Sequence, residues 1–480
     1  MFTATNNSSK KTAPPRPGIF NRKLPPTRRI SMLTIFNLLS FIFCLVFCQR
    51  STEPLEKALP EQEFTLTVES AEVTGVWLKL QAQPLDERIS YLVQRGDTHT
   101  VFSGKLLKHD TLLHDFNLQP ARDYEYKAYR LVDGHKLPPP VVVTTTTMDT
   151  TSHDFTWQIF EFGGEKGSSS FYDVAIINEN DIWAVGQIYT ADTYTYDSLG
   201  NWIQPYNAAH WDGEKWELKR IPFVYQGSNF WGPIYSIYAF SENNVWFGMG
   251  SVIHFDGKTF KSIKIPDDIF PSRANKIWGT SNNDLYIVGN RGCIAHYNGV
   301  SWRRIESPEG AGGTDLDIYD IWGQLNIKTG EYEIICVGSK HLQDPHFRKV
   351  IVKIEGYNLI ELSSTPIKWS LYTCWFVPGI KYLLGGGGLY YKNKLNSASW
   401  RQLNHVAQYY TYRIRGNHIN DIMAVGGFAE IVHFNGSSWR NYVNEINLSG
   451  NFYSVDIHGN VAAVTGFHGR KAVVVMGKRY

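Results

Sequence analysis

Four histidines recur at one position of a repeated phrase: His210 in AAHWDGEKW, His254 in IHFDGKTF, His296 in AHYNGVSW and His433 in VHFNGSSW. Imidazole is a common metal ligand, so a shared metal site is the first chemistry to weigh. Spacing argues against it. Adjacent strands lie ~4.8 Å apart, which puts equivalent atoms of successive repeats roughly 15 Å apart. Zinc takes its ligands at about 2 Å. The histidines are therefore expected to serve architecture, and neither a metal nor a cofactor is expected. The chain carries no G-x-S-x-G, H-E-x-x-H or P-loop pattern, the arrangements that would assemble a nucleophile, a metal-bound base or a phosphate cradle. Cys293, Cys336 and Cys374 show no C-x-x-C spacing and are expected to fill small apolar sites.

Two other sets of residues could hold a ligand. One lies in a recurring triplet, aromatic-x-Val/Ile: YDV at 172, YSI at 235, YDI at 319, YTC at 372, YRI at 412 and YSV at 453, with NKI at 275 in the same place. Its middle residues, Asp173, Ser236, Lys276, Asp320, Thr373, Arg413 and Ser454, vary in charge at one repeat position. Asp173, Lys276, Asp320 and Arg413 are accordingly expected to line the mouth of a channel, the alternative being that they face a neighbouring repeat or water. The other set lies in QIYTADTYTYDSLGNWIQPYN (187–207) and FVYQGSNFWGP (223–233). Tyr189, Tyr194, Tyr196, Trp202, Tyr206, Tyr225, Phe230 and Trp231 stand there among hydrogen-bonding side chains. Exposed rings in such company suit a protein or a glycan; the alternative is that the loops fold over their own repeat and bury the rings.

The elements that must position these residues follow from the period. From residue 155 onward, units of roughly 40–60 residues repeat, the range of propellers and solenoids. Each unit holds four strand-like pieces. The triplet opens the first; an Asn/Asp turn such as NDIWAVG or NDLYIVG precedes the second. The histidine phrase forms the third, and the aromatic after Gly (Trp216, Phe260, Trp302, Trp439) opens the fourth. The pairs Asp212-Gly213, Asp256-Gly257, Asn298-Gly299 and Asn435-Gly436 predict two-residue hairpins with positive φ at both turn positions. Seven units fit the sequence. The last lacks its fourth piece, while an orphan, FTWQIFEF (155–162), precedes the first. The expectation is all-β: a seven-bladed β-propeller over 155–480, closed by strand 155–162, which leaves only short protected edges. The repeats are similar to those of BNR-like propellers, sharing the Gly and the aromatic of the Asp-box but placing Gly directly after Asp. YRIR (412–415) resembles the Phe-Arg-Ile-Pro motif of sialidases without its Pro.

Residues 61–147 read as a separate set of strands. NLQPARDYEYKAYRL (117–131) resembles the tyrosine corner of fibronectin type III domains, where a Tyr hydroxyl bonds to nearby backbone. That resemblance implies a β-sandwich preceding the propeller, with Trp77 as its core tryptophan and a role as spacer or binding module. Residues 148–154 read as a Thr-rich linker. The RGD at 95–97 is expected to be ordinary turn chemistry between two strands.

Residues 1–48 hold seven Lys or Arg and no acid, ending in MLTIFNLLSFIFCLVFC. A basic stretch before an apolar run is the form of an export signal. LVFC (45–48) resembles a bacterial lipoprotein signal with Cys48 as the lipidated residue, and residues 49–60 follow as a linker. The remaining chain carries 40 basic against 45 acidic residues, which gives no electrostatic case for nucleic-acid binding. The sequence thus points to an extracytoplasmic, membrane-anchored or secreted monomer at the cell envelope. It would bind protein or glycan without catalysis on its loop-rich face, with a carbohydrate-active enzyme as the alternative. Resemblance relates it to propeller lipoproteins that scaffold membrane-protein assembly and to glycan-binding surface proteins.

Overall fold

The computed structural model describes residue 59 and residues 61–305, 314–340 and 348–479. Residues 1–48, read above as an export signal with Cys48 lipidated, and nearly all of the 49–60 stretch lie outside the described residues. Among the described residues no helix is long and apolar enough to cross a membrane. The chain is all-β, with one four-residue helix, Val443–Ile446, among the described residues.

Seven four-stranded antiparallel sheets follow one another from residue 170. Their first strands are Ser170–Asn178, Ser236–Ser241, Ala274–Ser281, Asp317–Asn326, Leu371–Val377, Thr411–His418 and Asn451–His458. Each adjoins the first strand of the next sheet, and the seventh returns to the first. This is a β-propeller. Its cores lie between successive sheets, as where Ala175, Trp183 and Val185 of sheet one meet Ile237, Val245 and Phe247 of sheet two. The seventh sheet takes its outer strand from the start of the repeat region. Thr156–Phe162 runs antiparallel to Lys471–Lys478, with Trp157 opposite Gly477 and Phe162 opposite Ala472. Ala472 and Val474 then pack with Phe171, Ala184 and Ala209 of sheet one.

The repeated histidine phrase now has a local explanation. Each histidine hydrogen-bonds the residue that opens the second strand of its own sheet: His210 with Asp181 (2.8 Å), His254 with Asn244 (3.1 Å), His296 with Asp284 (2.7 Å) and His433 with Asp421 (2.8 Å). Three of the four also lie against the aromatic ring directly across the strand pair, Trp183, Trp246 or Tyr286. The turn that follows differs from the two-residue hairpin expected. The loop is four residues, closed by Trp211 opposite Trp216 in the first sheet. Only its Gly takes positive φ, +96° at Gly213 and +88° at Gly257 and Gly299. The Asp or Asn acts through its side chain instead. Asp212 Oδ1 accepts from the amides of Glu214 and Lys215, each at 2.9 Å, and Asn298 Oδ1 does the same for Val300 and Ser301. This is the Asx-turn chemistry that favours these residues at loop starts.

Before the propeller, strands between Glu63 and Thr146 form a three-stranded and a four-stranded sheet around a common core. Tyr124 Oη accepts a hydrogen bond from the Gln119 amide at 2.8 Å. Trp77 does not sit in that core. Within Gly75–Gln83 the residues Val76, Leu78 and Leu80 point inward, and strand alternation turns Trp77 outward, where it stacks on His114 with ring centroids 4.2 Å apart. The RGD lies at a hairpin turn with both charges engaged: Arg95 with Asp115 (2.8 Å) and Asp97 with Lys127 (2.8 Å). The Thr-rich stretch after Thr146 is tied down rather than free. The Thr151 hydroxyl donates to Asn420 O (2.6 Å), Asn420 Nδ2 donates to Asp149 O (2.9 Å), and the Tyr442 hydroxyl donates to His153 O (2.6 Å).

Candidate binding site

The channel side of the propeller depends on one repeated irregularity. In six sheets the pairing of first and second strands skips a residue: Tyr172, Asn275, Tyr319, Tyr372, Tyr412 and Tyr453. Each is the extra residue of a β-bulge, which bends the strand and re-aims side chains. The bulge needs room, and a glycine at the end of each second strand provides it. A Cβ at Gly186, Gly386, Gly426 or Gly466 would stand 2.0–2.1 Å from backbone of the bulged strand, and at Gly289 or Gly338 2.4–2.5 Å. The Gly ending NDIWAVG and its relatives therefore belongs to the same device as the aromatic triplet.

The bulge overturns the expectation for the middle residues of the triplets. Strict alternation would put only one of two neighbours toward the axis. Here both face it, at different depths. The bulged residues line an open cup of about 290 Å³ bounded by Tyr172, Tyr235, Tyr319, Tyr372 and Tyr453, with Arg273, Asn275 and Arg413. Their rings form a nearly continuous palisade. Tyr172 stacks on Tyr235 (5.3 Å) and Tyr319 on Tyr372 (4.2 Å), and Tyr412 meets both Tyr372 (5.1 Å) and Tyr453 (5.3 Å). Where sheet three has Asn275 in place of Tyr, the Arg273 guanidinium fills the gap, 4.9 Å from the Tyr235 ring centre. Burial raises the hydroxyl pKa of Tyr172, Tyr319, Tyr372 and Tyr453. These phenols stay neutral hydrogen-bond donors at ordinary pH.

Asp173, Lys276 and Asp320, expected at the mouth, form a buried layer beneath the tyrosines. Arg413 joins both levels. Two networks make up the layer. Asp173 takes Lys276 Nζ at 2.5 Å, the Ser454 hydroxyl at 2.6 Å and the Ile237 amide at 2.9 Å, joining sheets seven, one, two and three. Asp320 takes Arg415 Nη2 at 2.8 Å, the Thr373 hydroxyl at 2.6 Å and the Cys374 amide at 3.1 Å, with Arg413 Nη1 2.6 Å away, joining sheets four, five and six. Burial alone would raise both carboxyl pKa values, but the cations win. Lys276 and Arg413 hold Asp173 below the usual range, and Arg413 and Arg415 hold Asp320 far below it. Burial also pulls Lys276 down to about 8 against the opposing field of Asp173. Below the layer a second, smaller cavity is lined by Lys276, Arg415, Trp278, Trp322 and Asp456, and there burial raises the Asp456 carboxyl.

Around the cup the loop-bearing end exposes many rings. Of the eight aromatics singled out in the sequence, Tyr189 and Tyr206 are half-buried, the latter under the Arg220 guanidinium at 3.5 Å. The other six are exposed, Tyr196 at 68% and Phe230 at 53%. Trp202 packs between Tyr194 (6.0 Å) and Tyr196 (5.0 Å), and Phe223–Tyr225 pairs with Ser228–Phe230 as a small hairpin. Sequence reasoning missed a groove of about 590 Å³ that includes Trp369, Gly387, Leu389, Ala407, Tyr409 and Tyr410. Tyr410 links it to the palisade through Tyr412 (5.1 Å). Its signal was the run GGGG at 385–388, whose last two glycines line the groove without side chains. Among the described residues no three His, Cys, Asp or Glu side chains cluster so as to hold a metal. Cys293, Cys336 and Cys374 are buried free thiols.

No protein-family model and no curated protein matches the chain. Among solved structures it is similar to YCF48 bound to D1 peptide, at 15% identity and a TM-score of 0.49 over 69% of this chain and 100% of that one. It is also similar to the WD40 β-propeller domain of Doa1, at 11% identity and a TM-score of 0.46 over 68% and 97%. YCF48 from Cyanidioschyzon merolae follows at 15% identity and a TM-score of 0.44 over 66% and 98%.

Proposed function

We propose that this chain is a non-catalytic binding protein that holds a polypeptide partner across the loop-bearing end of a seven-bladed ring. The observation that carries the reading is the gathering, at that end, of exposed aromatic side chains around an open cup and an adjoining groove. Binding energy at protein interfaces concentrates in a few residues, among which Trp, Tyr and Arg are over-represented. The chemistry of the channel favours holding over turnover. Asp173 and Asp320 are salt-linked beneath the cup and held ionised, whereas a glycoside-cleaving site needs one carboxyl kept protonated beside its substrate. Asp456, whose carboxyl is raised, lies in the cavity on the far side of the layer.

The two-sheet module before the ring is read as fibronectin type III-like, on the strength of its strand order and the Tyr124 contact, with domain limits at 61–147 and 155–480. The basic and apolar segment 1–48 supports export and lipidation at Cys48, so the binding end would work at the cell envelope. The test is affinity capture on the immobilised full chain. A partner retained by the parent chain should be lost with Tyr196→Ala plus Trp202→Ala or with Trp369→Ala. It should survive Ile327→Ser, an exposed position between a first and a second strand. Equal retention by all variants would refute the reading; retention of glycans instead of proteins on the same surface would replace it.

A further inference from the structure

We propose that the tyrosine cup is a carboxylate-binding site, occupied by a carboxylate of the polypeptide partner. The inference rests on the protein-binding reading and names what the cup recognises. Its first support is charge. The polar rim and floor are cationic, with exposed Arg273 at the rim and Arg413 at the floor, and among the described residues no Asp or Glu lines the cup. Asp317 stands just outside, 3.5 Å from the Tyr319 hydroxyl and bonded to the Arg291 amide.

The second support is a buried guanidinium, ion-paired with Asp320, that has two nitrogens outside any hydrogen bond. The Arg413 side chain is 4% exposed, and its Nε and Nη1 make no hydrogen bond. Nη1 lies 2.6 Å from Asp320 Oδ1 without hydrogen-bond alignment, and Arg415 presents two nitrogens to the same carboxylate. A buried donor left unsatisfied costs ~1–3 kcal/mol, and an anion in the cup would draw the guanidinium into alignment and share its charge. The third support is shape. The ion-paired layer separates the cup from the cavity beneath it, so the cup is a dead end that admits a short group and not a chain passing through. Neutral phenols around a cationic floor suit a carboxylate, whose oxygens accept from both. The carboxylate could be a chain terminus or an acidic side chain, and the probes separate these.

The experiment uses saturation-transfer NMR on the full chain with four probes: N-acetyl-phenylalanine, its amide, the α-amide of N-acetyl-aspartate, and glucuronate. One or both peptide acids should bind and the phenylalanine amide should not; whichever acid binds more tightly identifies the source. Arg413→Gln should abolish binding. Because that substitution disturbs the buried layer, Arg273→Gln at the exposed rim serves as the second variant and should weaken binding about fivefold with an unchanged melting temperature. Equal binding of acid and amide, binding of neither acid, or tighter binding of glucuronate would each overturn the proposal. If that happens while partner capture still depends on Trp202, the protein-binding reading stands without it. If capture is also indifferent to Trp202, both fall.

Discussion

At the scale of single residues, the decisive group is Asp320. It is fully buried and faces two guanidinium groups, those of Arg413 and Arg415. Its burial is tolerable only because both cations and the Thr373 hydroxyl compensate it. Replacing it with Asn keeps the volume but leaves two buried cations without their counter-charge. Breaking a buried pair from one side costs about 3–5 kcal/mol, and urea unfolding of Asp320→Asn at neutral pH should show a loss of that order. The pH dependence has a definite sign. The carboxyl pKa is depressed in the folded chain, so its stabilising contribution is complete above the unfolded value of 3.8 and disappears as pH falls below it. The gap between parent and variant should therefore be constant from neutral pH to about pH 5 and narrow below 3.8. A gap that persists undiminished in strong acid would mean the network contributes through packing rather than charge.

At the scale of elements, the bulge and its opposing glycine form one unit. The same unit explains what could and could not be read from the sequence. The four-strand repeat, the orphan strand at 155–162 and the structural role of the histidines were legible, because turn residues and spacing fix them locally. The assignment of the cup was not. Variation in charge at one repeat position pointed to Asp173 and Asp320 as mouth residues, whereas a bulge lets Tyr172 and Tyr319 point the same way from one position earlier. The glycine after each second strand was the available signal, since an isolated glycine in a strand marks a bulge or a close backbone approach. The groove at Trp369 was hidden for another reason: three separate segments, around 369, 387–389 and 402–410, build it. The bulge makes a direct prediction. A Cβ at Gly426 would stand 2.1 Å from Tyr410 O, so Gly426→Ala must shift the strand that carries Tyr412. It should destabilise by about 1–3 kcal/mol. The adjoining groove should be perturbed too, through Tyr410. Exposed Gly330, with nothing near its Cβ position, differs in offering space but takes φ +75°, so the better control is Gly250, which has open space and no positive φ. Gly250→Ala should be neutral by the same thermal melt.

At the scale of the whole molecule, the two-sheet module is seated on the ring rather than tethered to it. Val73 lies where a Cβ at Gly436 would reach it, 2.2 Å away. Glu72 pairs with Lys381 (3.6 Å), and Glu69 pairs with Lys328. The stretch between them adds further contacts to these ion pairs, of which the more exposed, Glu69 with Lys328, contributes little. His153 Nδ1 meets His433 Nδ1 at 2.8 Å. Behind it His433 bonds Asp421, which also receives Arg479 Nη1 at 2.8 Å. Residues 148–154 thus cover a polar cluster that joins sheets six and seven. Chains starting at 148 and at 155 should separate the two contributions. Loss of the module alone should lower the melting temperature modestly, while the further cut through His153 and the Thr151 contacts should lower it by several degrees more. The cluster also carries a pH signature. Burial, the neighbouring His433 and Arg440 depress His153 to about 4. Between that value and the unfolded 6.5 the unfolded chain binds the proton and the folded chain does not. Stability should therefore fall as pH drops from 6.5 toward 4, and His153→Phe should flatten that part of the melting-temperature profile. An unchanged slope in the variant would show that His153 does not carry this pH dependence.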